Sequence, residues 1–342
     1  MNILENVDLR LYSTMRLGGK TRYLAEAPSQ EKIRELVNWA KDQKIEFLVI
    51  GQGSNIVWRD DGYEGLVIVN KILGREILDQ KSTAILVKFY AGEVWDKCVE
   101  WTLEHNLNGL EFLSRIPGTA GAAPVQNIGA YGSELSDFFV EASVYDTKLD
   151  KFVCLMAEHC DFSYRSSRFK KSDKGRYIIL DITLKLSKSE PKPPFYESLQ
   201  KYFDEHGITE FAPQIIREAV TDIRKVKLPD PSIVANNGSF FLNPLIESSK
   251  FQDLRNTYPD IKAWPQKDGK IKISAGWMLE KAGFKGVHDQ QTGIATWPYS
   301  ALVLTNEHAK KTADLLEFKE KILSKIEAMF GIKLEQEPEL LP

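Results

Sequence analysis

The sequence predicts an α+β protein of roughly two or three domains. Three observations carry that expectation: apolar helical periods alternate with short apolar runs of strand length, a Gly-, Ala- and Pro-rich stretch interrupts them at residues 109–132, and Pro229 with Pro231 marks a break between domains. Composition agrees with a globular chain, since 43% of its 342 residues are hydrophobic, 27% are charged and the net charge is −3. Lys and Arg are dispersed, so nucleic acid is not an expected partner. No apolar run reaches the length of a membrane span, and the start Met1–Asn6 lacks the charged-then-apolar pattern of a signal. The expected protein is therefore cytoplasmic and meets no membrane; a monomer is expected, although no residue pattern specifies the oligomeric state. Cys98, Cys154 and Cys160 form no CxxC pair and read as buried thiols of a reducing compartment. The five histidines are scattered without metal-ligand spacing, and no metal is expected.

Element by element, residues 30–44 place Ile33, Leu36, Val37 and Ala40 on one helical face, and Phe47–Ile50 follows as a short buried strand before Gly51. Residues 66–69 and 84–91 are further strands, and residues 93–106 form a helix with Trp95, Cys98 and Val99 inward. The stretch 109–132 is too poor in large apolar groups for a core element and reads as a long ordered loop, the kind that carries function. Residues 140–145 and 177–186 read as strands with alternating faces. The prolines at 191, 193 and 194 then start an excursion with helices at 197–205 and 210–225. Beyond Pro231 come a serine turn, helices at 248–258 and 275–281, a strand at 301–304, and a last helix at 309–330 that stops at Gly331.

Chemistry concentrates in a few short runs. Asn237-Gly-Ser239-Phe-Phe-Leu-Asn243-Pro244 presents a serine hydroxyl at a glycine-permitted turn, with Lys227 shortly before it and neither His nor Asp beside it. Such a serine suits a proton donor or ligand contact better than a hydrolase nucleophile. Gly51-Gln-Gly53-Ser54-Asn55 follows a strand but lacks the third glycine of a Rossmann fingerprint, so it is either a tight turn or a nest of N–H groups for a phosphate. Pro117-Gly118-Thr119-Ala-Gly121-Ala122-Ala123, followed by Gln126, Asn127 and Gly129, either packs a loop on a sheet or lets a rigid ligand lie against main chain. Arg165, after Tyr164, is either a surface ion-pair residue or a fork for a carboxylate. Arg224 and Lys227, one turn apart, end a helix or meet a diphosphate or carboxylate. The acidic tail Leu334-Glu335-Gln-Glu337-Pro-Glu339 is by composition a solvated terminus.

These runs, with Thr14-Met-Arg-Leu-Gly-Gly19, Ile116–Gly132 and Tyr164-Arg165-x-Ser-x-x-Phe169, resemble in order and spacing the motifs of the UDP-N-acetylenolpyruvoylglucosamine reductase family. The resemblance implies an FAD-binding domain of the vanillyl-alcohol-oxidase (PCMH) type in two lobes, plus a smaller α/β substrate domain. Residues 1–70 would form the first lobe, with the tail 330–342 returning to the active site. Residues 71–228 would form the second lobe, the PCMH-type region covering about 17–188, and residues 229–329 the substrate domain. It further implies non-covalent FAD, NADPH as co-substrate, and reduction of UDP-N-acetylglucosamine enolpyruvate to UDP-N-acetylmuramate for peptidoglycan.

Carried over residue by residue, Ser239 would give the proton, Arg165 would hold the enolpyruvyl carboxylate, and Glu337 would be the tail acid in the ungapped register, with Glu339 taking that place if the register slips by two. Tyr164, Tyr196, Lys227 and Asn243 would meet substrate, and Tyr196 would mark the loop-bearing type of the family. Gly51, Gly53, Ser54, Asn55, Pro117, Gly118, Thr119, Gly121, Ala122, Gln126, Asn127, Gly129 and Arg224 would surround the cofactor. Trp297-Pro-Tyr-Ser300 departs from the His or Gln common at that place. Two alternatives stay open: another FAD-linked oxidoreductase of the same cofactor fold, or a nucleotide-sugar binding protein without catalysis.

Overall fold

The computed structural model describes residues 2–79, 84–266 and 268–342, so Met1 of the polar start lies outside the described residues. Seven helices are described: α1 Gln30–Asp42, α2 Trp95–Glu104, α3 Glu197–His206, α4 Pro213–Lys227, α5 Ser248–Thr257, α6 Ala275–Lys281 and α7 Thr312–Phe330. The chain divides into two compact units, one of residues 1–7, 21–52 and 63–225, the other of residues 8–20, 53–62 and 226–342.

The first unit holds two sheets. In the four-stranded one, strands Lys20–Ala27 and Phe47–Ile50 run parallel to the central Tyr63–Asn70. Helix α1 is capped by the Ser29 hydroxyl, which accepts from the Lys32 N–H at 3.2 Å, and it buries the expected Ile33, Leu36, Val37 and Ala40. It ends two residues early because Lys44 takes a left-handed φ of 56°.

The second sheet of this unit is five-stranded and antiparallel, in the order Lys151–Met156, Phe139–Asp146, Tyr177–Ser187, Ala84–Tyr90, Arg75–Asp79. Strand Tyr177–Ser187 does not alternate as its sequence suggested. Its pairing skips Leu180, since Ser143 faces Asp181 while Val144 faces Ile179, and an extra residue flips side-chain parity. Ile178 and Leu180 therefore join the core around α1, whereas Ile179, Ile182 and Leu184 join the core around α2, and the strand is buried on both faces. Cys98 and Cys160 are buried, but Cys154 is exposed because it lies on the edge strand. Helices α3 and α4 enclose a satellite core of Leu199, Phe203, Ile216 and Val220, against which Phe112, Tyr131 and Phe195 pack.

In the second unit, strands Ala235–Ser239, Ser300–Asn306, Ile294–Trp297 and His288–Asp289 form an antiparallel sheet in that order. The divergent Trp297–Ser300 run is a tight hairpin turn, in which Trp297 pairs with Ser300. Helix α7 starts at Thr312 rather than 309, where both carboxylate oxygens of Asp60 accept the N–H groups of Thr312 and Ala313 at 2.7 and 2.9 Å. It stops as expected at Gly331, whose φ is 60°.

Candidate functional site

Main chain and small side chains shape the candidate cofactor cleft of the first unit. A Cβ on Gly51 would stand 2.4 Å from the Thr119 hydroxyl oxygen, and one on Gly121 would stand 2.5 Å from the Ala91 Cβ. No larger residue fits at either place. Gly118, at a φ of 123°, donates its N–H to Gln52 Oε1 at 3.2 Å, joining the two small-residue runs. A cavity of about 120 Å³ opens there, lined by Gly51, Thr119, Gly121 and Ala122 and also by Asn70 and Tyr177, which sequence reasoning missed. Its size suits part of a cofactor, since whole ligands occupy roughly 300–1,000 Å³. Main chain pared of side chains, between an apolar strand and a small-residue turn, fits the flat ring and diphosphate of FAD.

Asn127 bonds within the protein. It is fully buried at a φ of 45°, its amide donates to Glu134 Oε2 (2.8 Å) and to the Ser163 carbonyl (3.3 Å), and its oxygen accepts from the Ser136 N–H (2.9 Å). Two of these bonds thus close the 127–136 loop on itself, and the third ties it to the main chain beside Tyr164 and Arg165. Arg165 itself takes a φ of 51°, donates through Nη2 to the Gly129 carbonyl at 2.7 Å, and lies 5.6 Å from the Tyr164 ring centroid. A bulky side chain in the left-handed region persists only where its surroundings hold it. A separate cavity of about 820 Å³ is lined by Tyr131, Gly132, Tyr196 and Glu111. Tyr131 meets Tyr196 edge to face at 6.2 Å, and burial pushes both phenols and the Glu111 carboxyl up from their ordinary ionisation range.

The second unit holds the serine. Ser239 ends a strand rather than sitting in a free turn, and the pairing with Ser300–Asn306 is irregular between Asn236 and Ser239, where Gly238 has a φ of 70°. The bulge leaves Ser239 half-buried, while Phe240 and Phe241 anchor the chain in the core. The tail runs beside this strand: Leu242 N–H donates to the Glu335 carbonyl and Glu337 N–H to the Phe240 carbonyl, both at 2.9 Å. Glu339 instead donates its N–H to the Asn55 carbonyl at 2.9 Å, as the tail becomes a parallel partner of Ile56–Trp58. The register therefore sets Glu337, not Glu339, across from the residue after Ser239.

Gly53, Ser54 and Asn55 belong to this unit too. Asn237, missed as a site residue although it opens the serine motif, donates to Thr14 Oγ1 and to the carbonyls of Ser54 and Ile56 at 3.1, 3.1 and 3.2 Å. Asn243 accepts the Ala275 N–H at 2.9 Å, so its oxygen serves the start of α6. Lys227 is exposed at the end of α4. Of the expected trio, Ser239 and Glu337 share the second unit and Arg165 belongs to the first.

The comparisons with known proteins point one way. A family model described as an FAD binding domain matches residues 21–148, and one described as the UDP-N-acetylenolpyruvoylglucosamine reductase C-terminal domain matches residues 230–341. A UDP-N-acetylenolpyruvoylglucosamine reductase of Pseudomonas aeruginosa is 37% identical over 340 residues, 99% of either chain. The chain belongs to this reductase family. A second relative of that name, from Burkholderia cenocepacia, is 36% identical over 347 residues, covering 99% of this chain and 97% of its own. A solved UDP-N-acetylenolpyruvylglucosamine reductase of Thermus caldophilus shares the fold, with a TM-score of 0.68 at 21% identity over 99% of this chain and 98% of that one. Among the described residues, no helix is long and apolar enough to cross a membrane.

Proposed function

We infer that this protein is an FAD-dependent oxidoreductase that reduces UDP-N-acetylglucosamine enolpyruvate to UDP-N-acetylmuramate in peptidoglycan synthesis, with NADPH as electron donor, and that it acts as a cytoplasmic monomer. Family membership along the whole chain supports the reaction. The observation that carries the finer reading is the register that sets the Glu337 main chain beside the serine strand. FAD, when bound, supplies two-electron chemistry between the nicotinamide donor and the enolpyruvyl double bond.

Gly51, Gly118, Thr119, Gly121 and Ala122 would hold that cofactor through main chain, with Gly53, Ser54, Asn55, Pro117, Gln126, Asn127, Gly129 and Arg224 completing its surroundings. Arg165 grips the substrate carboxylate with its planar fork and so stabilises negative charge that builds toward the α-carbon during reduction. Ser239 delivers the proton to that carbon. Serine is a weak acid, but a carbanionic carbon is a strong base, and a positioned donor contributes roughly 10²–10⁴-fold. Glu337 completes the polar surroundings, while Tyr164, Tyr196, Lys227 and Asn243 position the nucleotide sugar.

The test is direct turnover. Purified protein, NADPH and the enolpyruvyl nucleotide sugar should yield a product two hydrogens heavier by mass spectrometry, with one NADPH consumed for each product formed. NADPH oxidation without that mass change would count against the substrate, and no oxidation would count against the activity.

A further inference from the structure

Asp96, on α2, belongs to no motif singled out in the sequence, yet both its carboxylate oxygens are engaged. Oδ1 accepts from Arg217 Nη1 at 2.8 Å and from the Arg115 N–H at 2.6 Å, and Oδ2 accepts from Arg217 Nη2 at 3.1 Å. The Arg217 fork also reaches Glu100 Oε1 at 2.9 Å, so α2 and α4 are clasped by three charge-assisted hydrogen bonds. Two turns further along α4, Arg224 donates through Nη2 to the Arg115 carbonyl at 3.0 Å. The Arg115 main chain is thus held on both sides, its N–H by Asp96 and its C=O by Arg224, in a left-handed conformation with a φ of 60°. Such a backbone persists only when its neighbours over-determine it.

The second observation is electrostatic. Burial pushes the Arg224 ionisation down, and the neighbouring Arg115 and Arg165 guanidinium groups push it further, while Tyr131 and Asp96 oppose them. Burial would raise the Asp96 carboxyl, but its bonds to Arg217 and to the Arg115 N–H hold it below the usual carboxylate range. Like charges repel, so guanidinium groups that lie within reach of one another stay gathered only where bonds and a counter-charge hold them. Asp96 supplies the counter-charge, and its bonds to Arg217 and to the Arg115 N–H hold the helix and turn that carry Arg224 and Arg115.

We propose that Asp96, clasped by Arg217, is a positioning residue for an anionic ligand: it fixes the Arg115 turn and the end of α4 so that Arg224, from its place in the cofactor surroundings, adds its positive charge to that of Arg165 where the substrate carboxylate binds. This inference rests on the function proposed above. The role acts through the arginines, and Asp96 itself touches no reacting atom.

Asp96→Asn in the full, FAD-loaded chain tests it, because the amide keeps the shape and removes the charge. Under anaerobic conditions, NADPH-reduced protein is mixed with rising concentrations of the enolpyruvyl nucleotide sugar, and the return of flavin absorbance is followed. The apparent Kd should rise on the order of tenfold, the factor for about one lost charge-assisted bond, while the limiting rate changes less than about twofold. Arg217→Lys, which keeps the charge but loses the fork, should raise Kd by a smaller factor.

An unchanged Kd in both variants would overturn the proposal. A lower Kd in Asp96→Asn would also overturn it, by showing that Asp96 merely subtracts positive charge. If Asp96→Asn does not fold, an unchanged Kd in Arg217→Lys is enough to overturn it. Wild-type protein whose reduced flavin the sugar fails to reoxidise would sink the functional reading instead, which separates the two failures.

Discussion

The arginine turn and the serine strand hold their candidate side chains in different ways. Arg165 stands on a left-handed turn that two main-chain bonds between Ser163 and Ser166 close and that side chains brace, Asn127 tying the neighbouring loop to Ser163 and the Gly129 carbonyl accepting the guanidinium bond. Ser239 stands at a strand end fixed by main chain, through pairing with Val303 and the tail bonds at Phe240 and Leu242. A site held by main chain alone tolerates replacement of its own side chain, whereas one that side chains also brace depends on residues that touch no ligand. Substitutions in the two places should therefore fail differently.

The largest effect is expected at the strand. Ser239→Ala should leave the fold and the bleaching of flavin by NADPH near wild type, yet slow reoxidation by the enolpyruvyl sugar by roughly 10²–10⁴-fold. Stopped-flow absorbance follows each half separately. Equal loss in both halves would make the serine structural and erase the contrast. Next comes the tail, where Glu337→Gln should slow the same step by roughly ten- to a hundredfold, the range for a lost charged hydrogen bond, and Glu339→Gln by less than about threefold. The reverse ranking would mean that the tail works two residues out of the register described.

In the first unit, Gly121→Val should weaken FAD retention by on the order of tenfold, because the new side chain meets Ala91 and must displace it or the loop. Flavin lost on gel filtration measures this. The smallest effect falls on stability: Asn127→Ala should cost about 1–3 kcal/mol, the penalty for stranding buried partners, and should lower the affinity for substrate through Arg165 without changing flavin bleaching. Denaturant unfolding and the two half-reactions check both parts. An Asn127→Ala protein with wild-type substrate affinity would show that the turn holds Arg165 unaided.

Much of the helical scaffold was legible because apolar residues recur at helical spacing, as at Ile33, Leu36, Val37 and Ala40. Residues 20–27 were not read as a strand, since only some positions are apolar and the parallel neighbour Tyr63–Asn70 lies far along the chain. The bulge at Leu180 could not be foreseen, because parity changes only where the partner strand skips a residue. Among candidate site residues, Ser239, Arg165 and the glycine runs were visible as motifs. Asn70 and Tyr177, which line the small cavity from distant strands, and the Asp96–Arg217 clasp, whose partners are 121 positions apart, left no local signal. Exposed Cys154 was misread as buried because an edge strand and a central strand can share one composition.

The central claim is that one chain takes electrons from NADPH and passes them to the enolpyruvyl nucleotide sugar. The most direct test uses wild-type protein under anaerobic conditions. NADPH should bleach a yellow preparation that releases FAD on denaturation, and the enolpyruvyl sugar alone should then restore the colour within the turnover time. A colourless protein that takes up no FAD, or a bleached flavin that the sugar leaves reduced, would contradict the account.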